Sequence, residues 1–168
     1  MRKLILLLLV VCTQVCTTHA QDYVPKELAD ESRTKWLMET DKDPMTDSIR
    51  ITVSRLADKP INFTFNPPSE TELIIKHSRQ ITTFILQVSK VEFADLDSSY
   101  INIRFDKEPM ESYRYHFPII GHKSLISVYG GQDILDKLRK ASKMLIQANF
   151  KDEGQYIMEF HVDHYPFP

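Results

Sequence analysis

An alternation of apolar and polar residues with a period of two is the feature that most constrains the fold of this chain. In residues 100–106, YINIRFD, the apolar residues Ile101, Ile103 and Phe105 alternate with residues of more polar character. Successive side chains of a β-strand point to opposite faces of its sheet, so this segment can bury one face and expose the other. The pattern predicts a half-buried strand.

The same alternation recurs along most of the chain and predicts an antiparallel sheet. Further segments with strand character are 49–54, 61–66, 73–76, 82–90, 112–117, 124–129, 144–150 and 156–162. Residues 112–117 follow the strand at 100–106 after a short polar turn, so these two segments are expected to pair as a hairpin. About eight strands predict a mainly β (α+β) domain, either an antiparallel β-sandwich or a barrel-like fold.

One segment near the C-terminus has helical periodicity. It follows a pair of glycines, and its apolar residues recur at intervals of three and four: Ile134, Leu135, Leu138 and Ala141. This spacing places them on one side of a helix. The predicted fold is therefore a β-rich domain that carries one helix.

The first 20 residues have the features of a secretory signal peptide. Arg2 and Lys3 form a basic start, and residues 4–11 are an unbroken apolar run. Thr18 and Ala20 are small residues at the positions that signal peptidase prefers. We therefore expect cleavage after Ala20.

Cleavage would leave residues 21–168 as an exported protein of the periplasm or the cell surface. Residues 21–35 form a lead segment, for which a short helix is one interpretation, and residues 36–168 form a single β-rich domain. No second apolar span follows, so no membrane span is expected after signal removal. A lipid anchor at Cys12 or Cys16 is the alternative, but a bulky valine precedes each cysteine, and we do not expect it.

Loss of the leader changes the composition of the chain. The remaining 148 residues carry 19 basic and 23 acidic side chains, a net charge of −4. This balance does not suit a nucleic-acid-binding protein, which needs a clustered positive surface. Both cysteines leave with the leader, so the mature chain has no disulfide, no thiol nucleophile and no cysteine ligand for a metal.

Three aspartates precede the strand at 49–54: Asp41, Asp43 and Asp47. A helix-loop-helix calcium site that began at Asp41 would need an oxygen ligand at its fifth position, a glycine at its sixth and a glutamate at its twelfth. These positions hold a methionine and two threonines. Because Pro44 also lies in this segment, we interpret it as a polar turn.

The C-terminal sequence EFHVDHYPFP raises the question of a metal site. The candidate ligands are His161, Asp163 and His164, and Glu159 lies on the same side of the predicted strand as His161. A zinc site needs further ligands in a tetrahedral arrangement. A solvated polar strand face is therefore the favoured interpretation, and no metal or other cofactor is predicted.

Motifs for nucleophilic or metal-dependent catalysis are missing from the sequence. It contains no G-x-S-x-G elbow and no His-Glu-x-x-His pair. The Gly130-Gly131 pair could present backbone N–H groups to an anion, but no lysine follows it, and a turn is the simpler interpretation.

A polar and partly aromatic surface is the remaining candidate site. Its residues come from the strand at 100–106 and from its hairpin partner: Tyr100, Asn102, Arg104, Asp106, Tyr113, Arg114 and Tyr115. Tyrosine and arginine are the side chains that most often anchor protein interfaces. The solvent-exposed side of a sheet is the alternative interpretation. The apolar tail at 165–168 either packs over an edge of the core or is available to a partner.

The order of several segments resembles a known family. Trp36, then DPMTDS, YINIRFDKEP, LRKASKMLIQANF and YIMEFHV are similar to parts of the small exported accessory proteins associated with type VI secretion, of the VasI/TagO kind. This resemblance implies a β-rich, envelope-located module without catalytic residues.

We therefore expect an exported, non-catalytic binding or accessory domain that recognises a protein partner in the cell envelope. Two other functions stay open. One is a small metal-dependent or carbohydrate-acting enzyme that uses His161, Asp163 and His164. The other is a periplasmic immunity-type inhibitor, which would have one tight partner.

Overall fold

A computed structural model describes residues 35–78, 81–95 and 99–166. The predicted signal peptide, its cleavage site at Ala20 and the lead segment before residue 35 lie outside the described residues. The end of the apolar tail, Phe167 and Pro168, also lies outside them.

The described residues form one antiparallel sheet of nine strands and one helix, which confirms the prediction of a mainly β fold with a helix near the C-terminus. The strands are β1 (Leu37–Lys42), β2 (Ile49–Leu56), β3 (Thr71–Ser78), β4 (Ile81–Val88), β5 (Tyr100–Phe105), β6 (Glu111–His116), β7 (Leu125–Val128), β8 (Lys143–Phe150) and β9 (Gly154–His161), and the helix is α1 (Gly131–Leu138). Their order in the sheet is β1-β2-β3-β4-β7-β6-β5-β8-β9. The nine strands form one continuous sheet that does not close into a cylinder.

The core lies on the inner face of this sheet. In β5, Ile101, Ile103 and Phe105 are buried, as their alternation predicts. In β9, Met158 and Phe160 are buried in the same way. These residues belong to one apolar cluster that also includes residues of β3, β4 and β7. A sheet whose two halves share a single core must curve around it.

Contacts between the two ends of the sheet show this curvature. The backbone N–H of Asp58, just after β2, donates to the carbonyl of Glu159 in β9 over 2.8 Å. Trp36, just before β1, donates its indole N–H to the carbonyl of Asp163 over 3.1 Å. The two ends of the nine-stranded sheet therefore meet, and the inner face is enclosed.

The helix α1 covers part of the enclosed core, and its start explains the glycine pair. Gly130 has a φ of 82°, a left-handed conformation that glycine adopts without steric cost. At Gly131, a Cβ would lie 2.6 Å from the carbonyl oxygen of Thr82, so no side chain fits there. The close approach lets Ile134 and Leu138 pack into the core. Within the described part of the chain, no helix has the length and apolarity needed to cross a bilayer.

The predicted strand at 61–66 is wrong. This segment makes one isolated bridge, Ile61 with Ser69, and Phe65 is 80% exposed. The backbone N–H groups of Thr64 and Phe65 donate to the carboxylate of Glu153, so they do not join a neighbouring strand. The alternation correctly indicates that Phe63 is buried, but this segment does not form the continuous row of hydrogen bonds that a strand makes with its neighbour.

The acidic segment before β2 is a turn, as predicted. One oxygen of Asp43 accepts the backbone N–H of Met45 over 2.9 Å and that of Thr46 over 3.3 Å. The turn connects β1 to β2, and β1 itself was not predicted because all six of its residues are exposed. Without a buried face, a strand has no alternating pattern.

The two faces of β9 provide a test of this fold. We expect Phe160→Ala, at a fully buried position, to lower the free energy of unfolding by about 3–5 kcal/mol, because it leaves a cavity in the core. Ile157→Ala, at a position that is 60% exposed, should change it by no more than about 0.5 kcal/mol. Urea denaturation of both variants measures the difference. Equal losses would contradict the assignment of the two faces.

Candidate functional site

The candidate site lies on the outer face of four neighbouring strands, β6, β5, β8 and β9. Because odd-numbered residues of β5 point into the core, its even-numbered residues point to solvent. We call the surface they form with their neighbours the outer patch. It consists of Tyr100, Asn102, Arg104, Met110, Arg114, Leu145, Gln147 and Ile157.

A row of hydrogen bonds crosses the middle of the outer patch. The register aligns Ser112, Asn102, Gln147 and Ile157 across the four strands. The hydroxyl of Ser112 donates to the side-chain oxygen of Asn102 over 2.7 Å. The amide nitrogen of Asn102 donates in turn to the side-chain oxygen of Gln147 over 3.0 Å. These bonds hold three polar side chains in one orientation on a rigid sheet.

A shallow hollow of about 150 Å³ lies beside this row. It is lined by Asn102, Arg104, Met110, Leu145, Gln147 and Ile157. Met110 and Ile157 are exposed large apolar residues, and Tyr100 is 43% exposed on the same face. The outer patch therefore combines an apolar hollow with fixed polar groups.

The outer patch also carries positive charge. Arg104 and Arg114 are exposed, and neither forms an ion pair with a carboxylate within the described ranges. Glu159 lies in the same cross-strand row as Arg104, two strands away, and its carboxylate pairs with Lys143. Two guanidinium groups are therefore available on a chain whose formal net charge is −2.

The structure brings together four of the seven residues predicted for the binding surface, namely Tyr100, Asn102, Arg104 and Arg114. Asp106 lies apart from them. It has a φ of 44°, and its carboxylate accepts the backbone N–H groups of Ser142 and Lys143 over 3.2 and 2.9 Å. Its role is to fix the start of β8.

Tyr113 and Tyr115 do not lie on the outer patch, which corrects their predicted placement. They alternate with Arg114 along β6 and therefore point to the opposite face. Tyr115 is 6% exposed, and its hydroxyl donates to the carbonyl of Ala94 over 2.6 Å. A buried tyrosine of this kind supports the core and cannot contact a partner.

Tyr113 belongs to a polar network between β6 and α1. The ammonium of Lys137 donates to Glu111 over 2.5 Å, to Asp133 over 3.0 Å and to the Tyr113 hydroxyl over 3.1 Å. Burial raises the pKa of Tyr113, and the hydrogen bond to Glu111 raises the pKa of Lys137. The charges of this network are satisfied internally, so it attaches the helix to the sheet.

The three candidate metal ligands of the C-terminal sequence, His161, Asp163 and His164, are not gathered at one point. Nε2 of His164 lies 3.5 Å from a carboxylate oxygen of Asp163, and both side chains are exposed. His161 instead contacts Asp58, with 2.6 Å between Nδ1 and the carboxylate. Sequence reasoning missed Asp58, because it lies 103 residues away from His161 along the chain.

Asp58, Glu159 and His161 form the group of potential metal ligands in the described part of the chain, and we call it the seam group. Ligand atoms of the three residues lie within 4.8 Å of one another. The same residues join the ends of the sheet, since Asp58 also accepts the backbone N–H of His161 over 3.1 Å.

Cations already surround the seam group. Lys143 pairs with Glu159. Arg55 is buried, with 5% of its surface exposed. Its guanidinium carbon lies 5.7 Å from the centroid of the Trp36 ring. Burial lowers the pKa of Arg55, and the nearby charge of Asp58 opposes that shift. Because both carboxylates have a positive neighbour, the seam group is a structural cluster first, and a metal ion would compete with these cations.

A buried histidine anchors the start of the C-terminal tail. His77 Nε2 lies 2.6 Å from the hydroxyl of Tyr165, and Nδ1 lies 3.3 Å from the hydroxyl of Thr82. Thr82 donates its own proton to Gln132 over 3.0 Å, so it accepts one from His77 Nδ1, and Nε2 accepts the proton of Tyr165. The sequence leaves two interpretations of the tail, packing over an edge of the core or contact with a partner. For Tyr165 the first is correct, because it packs against the edge of the core at His77.

Comparison of this chain with protein-family models, with curated proteins and with solved structures finds no match.

The buried His77 predicts a dependence of stability on pH. Burial, together with the charge of Arg139, lowers the pKa of His77 below its ordinary value near 6.5. At a pH between the pKa of His77 in the unfolded chain and its lower pKa in the folded chain, the unfolded chain binds more protons at this side chain. The contribution of His77 to the unfolding free energy therefore falls as the pH falls below about 6.5.

We expect His77→Gln to make the unfolding free energy less sensitive to pH between 7 and 5 than in the wild type. Urea denaturation at each pH measures this slope. His164→Gln is the matched control, because the side chain of His164 is 93% exposed. An unchanged slope in His77→Gln would contradict the interpretation.

Proposed function

We propose that this chain is an exported, non-catalytic binding domain that acts by protein recognition in the cell envelope, through the outer patch. The observation that carries the proposal is the pair of arginines, Arg104 and Arg114, without carboxylate partners in the described residues, beside the exposed Tyr100. Protein interfaces are enriched in tyrosine and arginine relative to the rest of the surface.

The rigidity of the outer patch supports a role in binding. Ordering a mobile side chain on association costs free energy, roughly 0.5–1.5 kcal/mol for each flexible side chain. Asn102 and Gln147 are already oriented by the hydrogen bonds that cross the strands. The buried residues on either side of Asn102 in β5, Ile101 and Ile103, fix the backbone from behind. A partner can therefore bind this face at a small entropic cost.

The location and the accessory role have a separate basis. The basic and apolar start of the sequence supports export, and the resemblance to type VI secretion accessory proteins supports a role in the envelope. An immunity-type inhibitor would use the same kind of surface. It would differ in having one tight partner.

Affinity capture tests this proposal. Residues 21–168 are immobilised, an envelope extract of the source organism is passed over them, and the retained proteins are identified by mass spectrometry. We expect a specific protein that is lost when Tyr100→Ala and Arg104→Ala are combined, because these changes remove the aromatic and charged contacts.

Lys76→Ala is the matched control, since Lys76 is exposed in β3, in the other half of the sheet. Thermal unfolding must show that all variants fold. Retention that is unchanged in the double variant, or lost equally in the control, would contradict recognition through the outer patch.

A metal-dependent activity at the seam group is a second candidate. The observation in its favour is that Asp58, Glu159 and His161 bring their ligand atoms within 4.8 Å of one another. Three protein ligands with an open fourth position are typical of catalytic zinc sites. The ion pair of Glu159 with Lys143 and the charge of Arg55 near Asp58 weigh against it.

Zinc titration separates the two candidates. Since Lys143 pairs with Glu159 and the charge of Arg55 lies near Asp58, we expect the Tm of the wild type to stay unchanged on addition of Zn²⁺ or of a chelator. A Tm that rises with Zn²⁺ in the wild type but not in Glu159→Gln would support the second candidate instead, because a bound ion stabilises the folded state.

A further inference from the structure

The size of the hollow in the outer patch indicates what kind of group it accepts. Its volume of about 150 Å³ lies below the roughly 300–1,000 Å³ of small-molecule sites. Met110, Leu145 and Ile157 provide apolar walls, and Arg104 also lines the hollow. The dimensions suit one large apolar side chain of a macromolecular partner, with a charged group of that partner beside it.

The charges near the hollow indicate the sign of that group. A guanidinium forms two parallel hydrogen bonds with a carboxylate, which makes the pair both strong and directional. Arg104 and Arg114 have no carboxylate partner among the described residues, and Lys143 holds Glu159 at the border of the patch. The complementary partner is therefore acidic.

The strand register gives the spacing between the two arginines. Tyr100 lies directly opposite Arg114, so Arg104 and Arg114 are four residues apart along the direction of the strands. Four residues of extended chain span about 13 Å. In an extended partner, residues i, i+2 and i+4 point to the same side. When residues i and i+4 face the arginines, residue i+2 lies at the level of Asn102, which is one wall of the hollow. A long apolar side chain at i+2 that leans towards β8 can therefore enter the hollow beside Asn102.

From this geometry we infer that the outer patch binds an extended acidic segment of a partner protein, with the pattern acidic-x-apolar-x-acidic. The first carboxylate pairs with Arg104, the apolar side chain enters the hollow, and the second carboxylate pairs with Arg114. The inference rests on the proposed function and names the chemistry of the partner at the same site.

Selection from a displayed library of random 12-residue peptides tests this inference. The immobilised probe is the chain of residues 21–168. We expect the enriched peptides to carry Asp or Glu at positions i and i+4 and a large apolar residue at i+2. Retention should fall by about tenfold or more on Arg104→Glu and on Arg114→Glu, because each change replaces a charge-assisted pair with repulsion.

Two variants serve as controls. Lys76→Glu makes the same change of charge in the other half of the sheet and should leave retention unchanged. Arg104→Lys keeps the positive charge and should retain more binding than Arg104→Glu. A loss in Lys76→Glu equal to that in Arg104→Glu would show a general effect of net charge. A loss in Arg104→Lys equal to that in Arg104→Glu would show that positive charge at this position does not hold the partner. Either result would overturn the inference.

The remaining outcomes separate this inference from the proposed function. Peptides that depend on Tyr100 and Ile157 but tolerate both arginine reversals would overturn the acidic pattern and leave protein recognition in place. Enrichment of acidic peptides without the apolar residue would also overturn it, since the patch would then attract any polyanion. A library without enriched sequences would overturn an extended partner, while capture of a folded protein that is lost in the Tyr100/Arg104 double variant would still support the proposed function.

Discussion

The structure depends on the meeting of the two ends of its sheet. A single helix of eight residues cannot cover the inner face of nine strands, so the sheet must curve until its halves cover each other. Asp58 joins them, because its N–H donates to Glu159 and its carboxylate accepts from His161. The enclosed space is filled by aromatic side chains such as Phe93 and Phe150, whose rings lie 5.0 Å apart. Without cysteines in the described residues, this packing stabilises the domain.

The curvature also explains where a binding surface can form. Side chains that point inward are buried in the core, and those that point outward from β5 and β8 face solvent. Outward residues within these strands sit between two buried neighbours, as Asn102 sits between Ile101 and Ile103. The outer patch is therefore supported by the buried core directly behind it. The proposed recognition of an acidic segment uses this rigidity.

Sequence reasoning was successful where a segment had its own pattern. The alternation in β5 and β9 predicted which side chains are buried, and it placed Tyr100, Asn102 and Arg104 together on one face. It did not separate Tyr113 and Tyr115 from Arg114, although the same alternation puts them on opposite faces. The seam group was out of reach, since Asp58 comes from a distant loop. So was the hollow, whose walls belong to three strands and a turn.

The sequence by itself determined the mainly β class, the hairpin of β5 and β6, and the helix after the glycine pair, because each follows from local periodicity and backbone geometry. Only the tertiary structure decided that the strands form one curved sheet, that residues 61–66 remain outside it, and that Arg104 and Arg114 stay without a carboxylate in the described residues. The physical reason is that closure and pairing depend on contacts between residues far apart in the chain, and a local pattern contains no information about which distant segment arrives beside it.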